Sequence, residues 1–224
     1  MVFLEKFILM VMSKKRAWKG LSAALVTGTI IAGGWMITRG ELVTEVIDGD
    51  SFKIANKQTI RLASLNAPEL EFCVGIEAKT ALTKQISGKR VLLKDTKTDI
   101  FRRILALVYV DGHLVNEYMV RNGFAVTTRE AGEENDAVKA ANDYAREHKL
   151  GVYSPRCYQP DPPNPKCPIK GNIDDRTGEK QYLMPDCRHY SKVIIEKYAG
   201  EEYFCTEKEA RAAGFTKSCD PRNQ

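Results

Sequence analysis

Ile47-Asp48-Gly49-Asp50-Ser51 and the later stretch Arg61-Leu62-Ala63-Ser64-Leu65-Asn66-Ala67-Pro68-Glu69 decide the fold. Asp-Gly between two runs of β-forming residues signals a tight turn. From Thr59 to Leu65 apolar and polar residues alternate, as in a half-buried strand. Pro68 ends that run, because it has no N–H for a ladder and keeps Ala67 extended. If the strands around the turn pair, Asp50, Asn66 and Glu69 converge at one strand end with Arg61 facing them. Hard oxygens beside a carboxylate and a guanidinium suit a divalent cation and a phosphate.

Outward from this stretch, residues 41–47, 51–55 and 59–65 read as three strands joined by short turns. Residues 75–86 have helical spacing, with Ala78, Leu82 and Ile86 along one face. Residues 90–94 and 105–110 read as two more strands, the second buried. Helices follow at 114–122 and 136–148. Five short strands with interposed helices make an α+β domain and suit a small closed barrel. Four prolines between Gln159 and Pro165 mark a stiff linker. The expected organisation is an N-terminal segment (1–40), a main domain (41–158), a linker (159–166) and a small cysteine-containing module (167–224). In that module Thr206-Glu207-Lys208-Glu209 is a capping box for a short helix.

The net charge of +5 does not itself argue for nucleic acid. Residues 1–40 hold six Lys and Arg against one acidic residue, while 41–158 hold seventeen of each sign and 159–224 eleven of each. The excess lies before the folded part. There, Lys14, Lys15, Arg16 and Lys19 precede an apolar run of about 17 residues from Leu21 to Ile37, near the lower limit for a spanning helix. Basic residues on the near side keep that side cytoplasmic, so the expectation is an uncleaved membrane anchor with the remainder exported. A cleaved signal peptide is the alternative. Six cysteines fit export and disulfide bonding, and five of them follow residue 156. Spacing does not give their pairing. A Cys73–Cys157 bridge would tie the Glu69 loop to the end of the main domain. Cys187-Arg188-His189 with the other late cysteines could supply zinc ligands, but no C-x-x-C pair is present.

The two opening stretches resemble the core motifs of the staphylococcal nuclease (thermonuclease) family. Thr98-Asp99-Ile100-Phe101-Arg102-Arg103 and Asp111-Gly112-His113-Leu114-Val115-Asn116-Glu117 resemble two further motifs, in order, over residues 42–158. The resemblance implies a five-stranded OB-fold β-barrel with about three helices and a Ca²⁺-dependent nuclease acting on DNA and RNA to leave 3′-phosphate ends. It implies Asp50, Asn66 and the Ala67 carbonyl as metal ligands. Glu69 would direct or deprotonate the attacking water, and Arg61 and Arg103 would hold the phosphate. A monomer is the expectation.

Each residue also has a plainer reading. Asp48 and Asp50 can simply build the turn, Arg61 and Arg103 can pair with carboxylates, and Glu69 can cap a loop. Three positions depart from the family. Asn66 stands where Asp is common, which removes a negative charge and predicts weaker Ca²⁺ binding or a shifted metal preference. Phe101 replaces a usual tyrosine, so it can stack but not hydrogen-bond. Thr127-Thr128-Arg129 replaces a tyrosine-containing loop. The rival class is a catalytically weak nuclease-like module that binds nucleic acid or protein.

Overall fold

The computed structural model describes residues 40–128 and 136–219. The apolar segment 21–37 and Arg129 lie outside them. Among the described residues no helix is long and apolar enough to cross a membrane.

The main domain runs β1 (Glu41–Val46), β2 (Ser51–Ile54), β3 (Thr59–Leu62), β4 (Leu65–Asn66), α1 (Gly75–Ile86), β5 (Arg90–Thr98), β6 (Ile104–Val110), β7 (His113–Leu114), α2 (Val115–Arg121), β8 (Val126–Thr127) and α3 (Asp136–Glu147). Antiparallel pairs link β3 to β2, β2 to β1, β1 to β5 and β5 to β6. Parallel pairing of β3 with β6 closes the ring, so five strands form a barrel. Closure leaves no open edge. Alternation along the strands sends Phe52, Ile60, Leu62, Val91 and Val108 inward, all fully buried. Burial of each such side chain is worth roughly 1.5–3 kcal/mol. Leu82 and Ile86 of α1 and Met119 and Val120 of α2 join the same core.

Two elements differ from the sequence reading. The strand expected over 59–65 stops at Leu62 and resumes as β4. Ser64 sits at φ 62°, which turns the chain off the barrel wall. β4 then pairs with β8, with Leu65 opposite Thr127 and Asn66 opposite Val126. The strand expected over 90–94 continues to Thr98, because an irregularity between Lys94 and Lys97 lets it stay paired with β6.

Beyond the barrel come β9 (Tyr158–Gln159), β10 (Ile169–Ile173), β11 (Lys180–Leu183), β12 (Ile195–Glu196), β13 (Glu202–Phe204), α4 (Glu207–Ala212) and β14 (Thr216–Lys217). β13, β10, β11 and β14 form one sheet over Ile169, Tyr182, Phe204, Ala210 and Phe215. The capping box at Thr206 is formed in both directions. All six cysteines are paired, as Cys73–Cys157, Cys167–Cys205 and Cys187–Cys219, so none remains for zinc. β12 pairs with β9 in a separate two-stranded sheet, and the Tyr203 hydroxyl of β13 donates to the Gln159 carbonyl.

Candidate active site

Asp48 builds the turn. Its Oδ1 accepts from the backbone N–H groups of Asp50 and Ser51, at 2.9 and 2.7 Å. That local bond is why Asp precedes Gly at this position. It also points the next acidic side chain inward, and Asp50 is 3% exposed. Asp50 Oδ1 accepts from the Ser51 hydroxyl and the Arg61 guanidinium, while Oδ2 accepts from the Ala67 N–H at 2.9 Å. Arg61 leaves the middle of β3 and reaches Asp50 with one terminal nitrogen. With the other it donates to Asn66 Oδ1 at 2.7 Å. The sequence-predicted group of Asp50, Arg61, Asn66 and Ala67 is therefore one cluster at the end of β2, β3 and β4.

Glu69 follows Pro68 in the loop leading to α1, with its side chain exposed. Partial burial, then the negative charges of Asp48, Asp50 and Glu71, raise its carboxyl above the ordinary Glu value, and Arg61 opposes them. In the chain Glu69 lies two residues after Ala67, whose N–H Asp50 holds. Its carboxylate makes no hydrogen bond or ion pair among the described residues. Burial also raises Asp50, with the Arg61 guanidinium as the main opposing influence. Both shifts are led by burial, and among the described residues the Arg61 guanidinium opposes both.

Arg103 stands in the turn between β5 and β6. Asp99 Oδ1 accepts from the N–H groups of Phe101 and Arg103, and Asp99 Oδ2 accepts from Arg103 Nε at 2.8 Å. The Arg103 terminal nitrogens take no partner among the described residues. The β3–β6 register sets Arg61 opposite Leu105. Arg103 immediately precedes β6, two residues before Leu105. Phe101 is 71% exposed, with the Arg103 guanidinium 5.3 Å from its ring centre.

Sequence reasoning did not assign roles to two buried amides. Asn116 Oδ1 accepts from the Val108 N–H, and its amide nitrogen donates to the carbonyls of Ala63 and Ala106. It fixes the chain as it leaves β3 toward Asn66. Asn142 Oδ1 accepts from the Thr127 N–H and the Tyr153 hydroxyl, which seats β8 on α3. A polar residue on an otherwise apolar helix face is the only sequence signal either one gives.

The donors available to a cation are one carboxylate (Asp50), one amide oxygen (Asn66) and the Ala67 carbonyl. Among the described residues no three His, Cys, Asp or Glu side chains gather as a metal cluster. The set is nevertheless hard and oxygen-only, and a divalent ion bound there would answer the Asp50 carboxylate. It fits Ca²⁺ with a low ligand charge.

A family model described as staphylococcal nuclease homologue matches residues 59–155. "Protein ParB" of Escherichia coli is 30% identical over 163 residues, covering 66% of this chain and 92% of that protein. "Micrococcal nuclease" of Shigella flexneri is 30% identical over 152 residues, covering 62% of this chain and 87% of that protein. An "Uncharacterized endonuclease" of Escherichia coli is 31% identical over 116 residues, or 50% and 75% of the two chains.

Proposed function

The chain belongs to the staphylococcal nuclease homologue family, a family of nucleases, and from that membership we propose that it is a Ca²⁺-dependent endonuclease that cleaves DNA and RNA to 3′-phosphate ends. The observation that supports this reading is the Arg61 guanidinium joining Asp50 to Asn66, with Glu69 two residues beyond Ala67 and without a hydrogen bond or ion pair among the described residues. Arg61 and Arg103 each offer a planar fork to the phosphoryl oxygens of one substrate phosphate. Glu69 takes a proton from a water as that water's oxygen bonds to phosphorus. The bond from phosphorus to the 5′-oxygen breaks, and the 5′-oxygen leaves with the electron pair and gains a proton from solvent. A Ca²⁺ ion held by Asp50, Asn66 and the Ala67 carbonyl would, when bound, neutralise phosphoryl charge. Arg61 would then exchange its Asp50 and Asn66 contacts for phosphate oxygens.

The proposal includes export behind an uncleaved N-terminal anchor and a monomeric state. Three disulfides support an oxidising compartment. The basic residues before the apolar run support the orientation. Protease added to intact cells would degrade the protein if this is right and spare it if it stays inside.

Nuclease assay of the purified protein on single-stranded DNA, with Ca²⁺ or with chelator, tests the chemistry. Glu69→Gln should lower the rate by on the order of 10²–10⁴. End-group analysis should find phosphate on the 3′ side. Asn66 favours a second reading, a weakened enzyme that chiefly binds nucleic acid. Wild-type inactivity restored by Asn66→Asp would select it.

A further inference from the structure

The loop that carries Glu69 is held from two sides. On one side are the loop's own bonds: the Phe72 N–H donates to the Glu69 carbonyl at 2.9 Å and the Gly75 N–H to the Phe72 carbonyl at 3.0 Å. Gly75 lies so close to the Glu69 carbonyl that a Cβ there would collide with it. Val74, between them, is 3% exposed at φ 74°. A β-branched residue in that region costs energy and persists only where its surroundings enforce it.

The enforcement comes from the other side, the C-terminal module. Cys73 is bonded to Cys157. The Lys197 carbonyl accepts from the Cys73 N–H at 3.4 Å, and the Lys197 N–H donates to the Cys157 carbonyl at 2.8 Å. One residue of the module thus bridges both halves of the disulfide. The Phe72 ring rests on Gly200, where a Cβ would stand 2.7 Å from its tip. Gly200 also has φ 87°, so glycine is required there twice over. The segment 196–201 is in turn fixed by the buried Glu201 carboxylate, which accepts from the N–H groups of Ile173 and Glu196 at 2.8 Å each.

We propose that the C-terminal module is a positioning element for the nuclease site, and that Phe72 seated on Gly200 is the residue through which it holds Glu69 in its working orientation. This rests on the reading of Glu69 as the water-directing carboxylate. The module supplies no group to the substrate. It removes freedom from the backbone three residues after Glu69, so its loss slows turnover rather than weakening substrate binding.

The test uses the full chain with Phe72→Ala, Phe72→Leu and Gly200→Ala. Amide hydrogen exchange of residues 70–75 is read against the amides of β2, β3 and β6, and kcat and KM are measured on a single-stranded oligonucleotide. In Phe72→Ala, exchange at 70–75 should rise on the order of tenfold or more while the barrel amides hold. A displaced water-directing group predicts a fall in kcat of roughly ten- to a hundredfold with KM little changed. Phe72→Leu should recover most of it, and Gly200→Ala should reproduce the defect with Phe72 present. Unchanged exchange at 70–75 overturns the proposal, as does faster exchange with unchanged kcat. If the wild type shows no nuclease activity, the catalytic reading fails by itself, and exchange still decides whether the module holds the loop.

Discussion

Between residues 43 and 141 the described residues close a barrel over one large apolar cluster, with Phe52, Ile60, Leu62 and Met119 fully buried. Between residues 167 and 219 four short strands close over only five core side chains, and two disulfides cross that smaller unit. The third disulfide joins the Glu69 loop to the end of the barrel domain, where the smaller sheet docks. A unit with little apolar surface depends on covalent ties, whereas a closed barrel does not. The barrel instead carries its cost at the active site, where charge is buried. The two regions should therefore fail under different stresses.

The largest effect should come from breaking the buried pair. Asp50 and Arg61 side chains are 4% and 12% exposed. Arg61→Met leaves the Asp50 carboxylate without its guanidinium and should cost about 3–5 kcal/mol. Urea unfolding would show it as a lower midpoint at unchanged slope. Adding Asp50→Asn should return much of that stability, because no uncompensated charge then remains. Neither variant should cleave DNA. A single variant as stable as wild type would mean that the pair is held for chemistry alone.

Reduction should next separate the two regions. Each disulfide of this loop length contributes about 2–4 kcal/mol. With dithiothreitol, amides of β10, β11 and β13 should lose protection while those of β2, β3 and β6 keep it. Equal loss in both would show that the barrel leans on the module far more than its own core suggests.

The barrel's turns and alternation were legible because they are local. Asp-Gly at 48–49, the alternation that begins at Thr59, and the helical spacing of 75–86 each follow from neighbours in sequence. The convergence of Asp50, Asn66 and Arg61 followed from one assumption, that the strands about the turn pair. The departure of β4 from the barrel wall was not legible. It depends on Ser64 at positive φ and on Asn116, 53 residues downstream of Ala63, whose amide holds the Ala63 carbonyl. The β4–β8 pairing depends likewise on Asn142, from a helix that alternation along β4 cannot reveal. The clamp on Phe72 needs Gly200, which sequence marks as no more than a turn glycine.

Asn116→Ala sharpens that lesson at moderate cost. It would leave the Val108 N–H without its acceptor and take the amide donor away from the Ala63 and Ala106 carbonyls, of which Ala106 still accepts from the Ala63 N–H. The expected loss is about 1–3 kcal/mol for each group left unsatisfied. Activity should fall further than stability alone explains, because Ala63 leads directly to Asn66. Activity unchanged at temperatures where the variant is fully folded would limit Asn116 to a packing role.

The smallest effect is electrostatic. On the proposed mechanism Glu69 must be ionised to take a proton from water, and its carboxyl is raised above the ordinary Glu value first by partial burial, then by Asp48, Asp50 and Glu71. A raised value means that activity is lost on acidification at a higher pH than an ordinary Glu would give. Asp48 and Asp50 cannot be changed without disturbing the turn, but Glu71 is exposed and leaves it intact. Glu71→Gln removes one raising charge, so the acidic limb of kcat/KM should move to lower pH, with the plateau unchanged. Solvent screening at the partly exposed Glu69 keeps the displacement small, and added salt should shrink it further. A limb that moves upward, or that ignores both Glu71 and salt, would mean that a group other than Glu69 sets it.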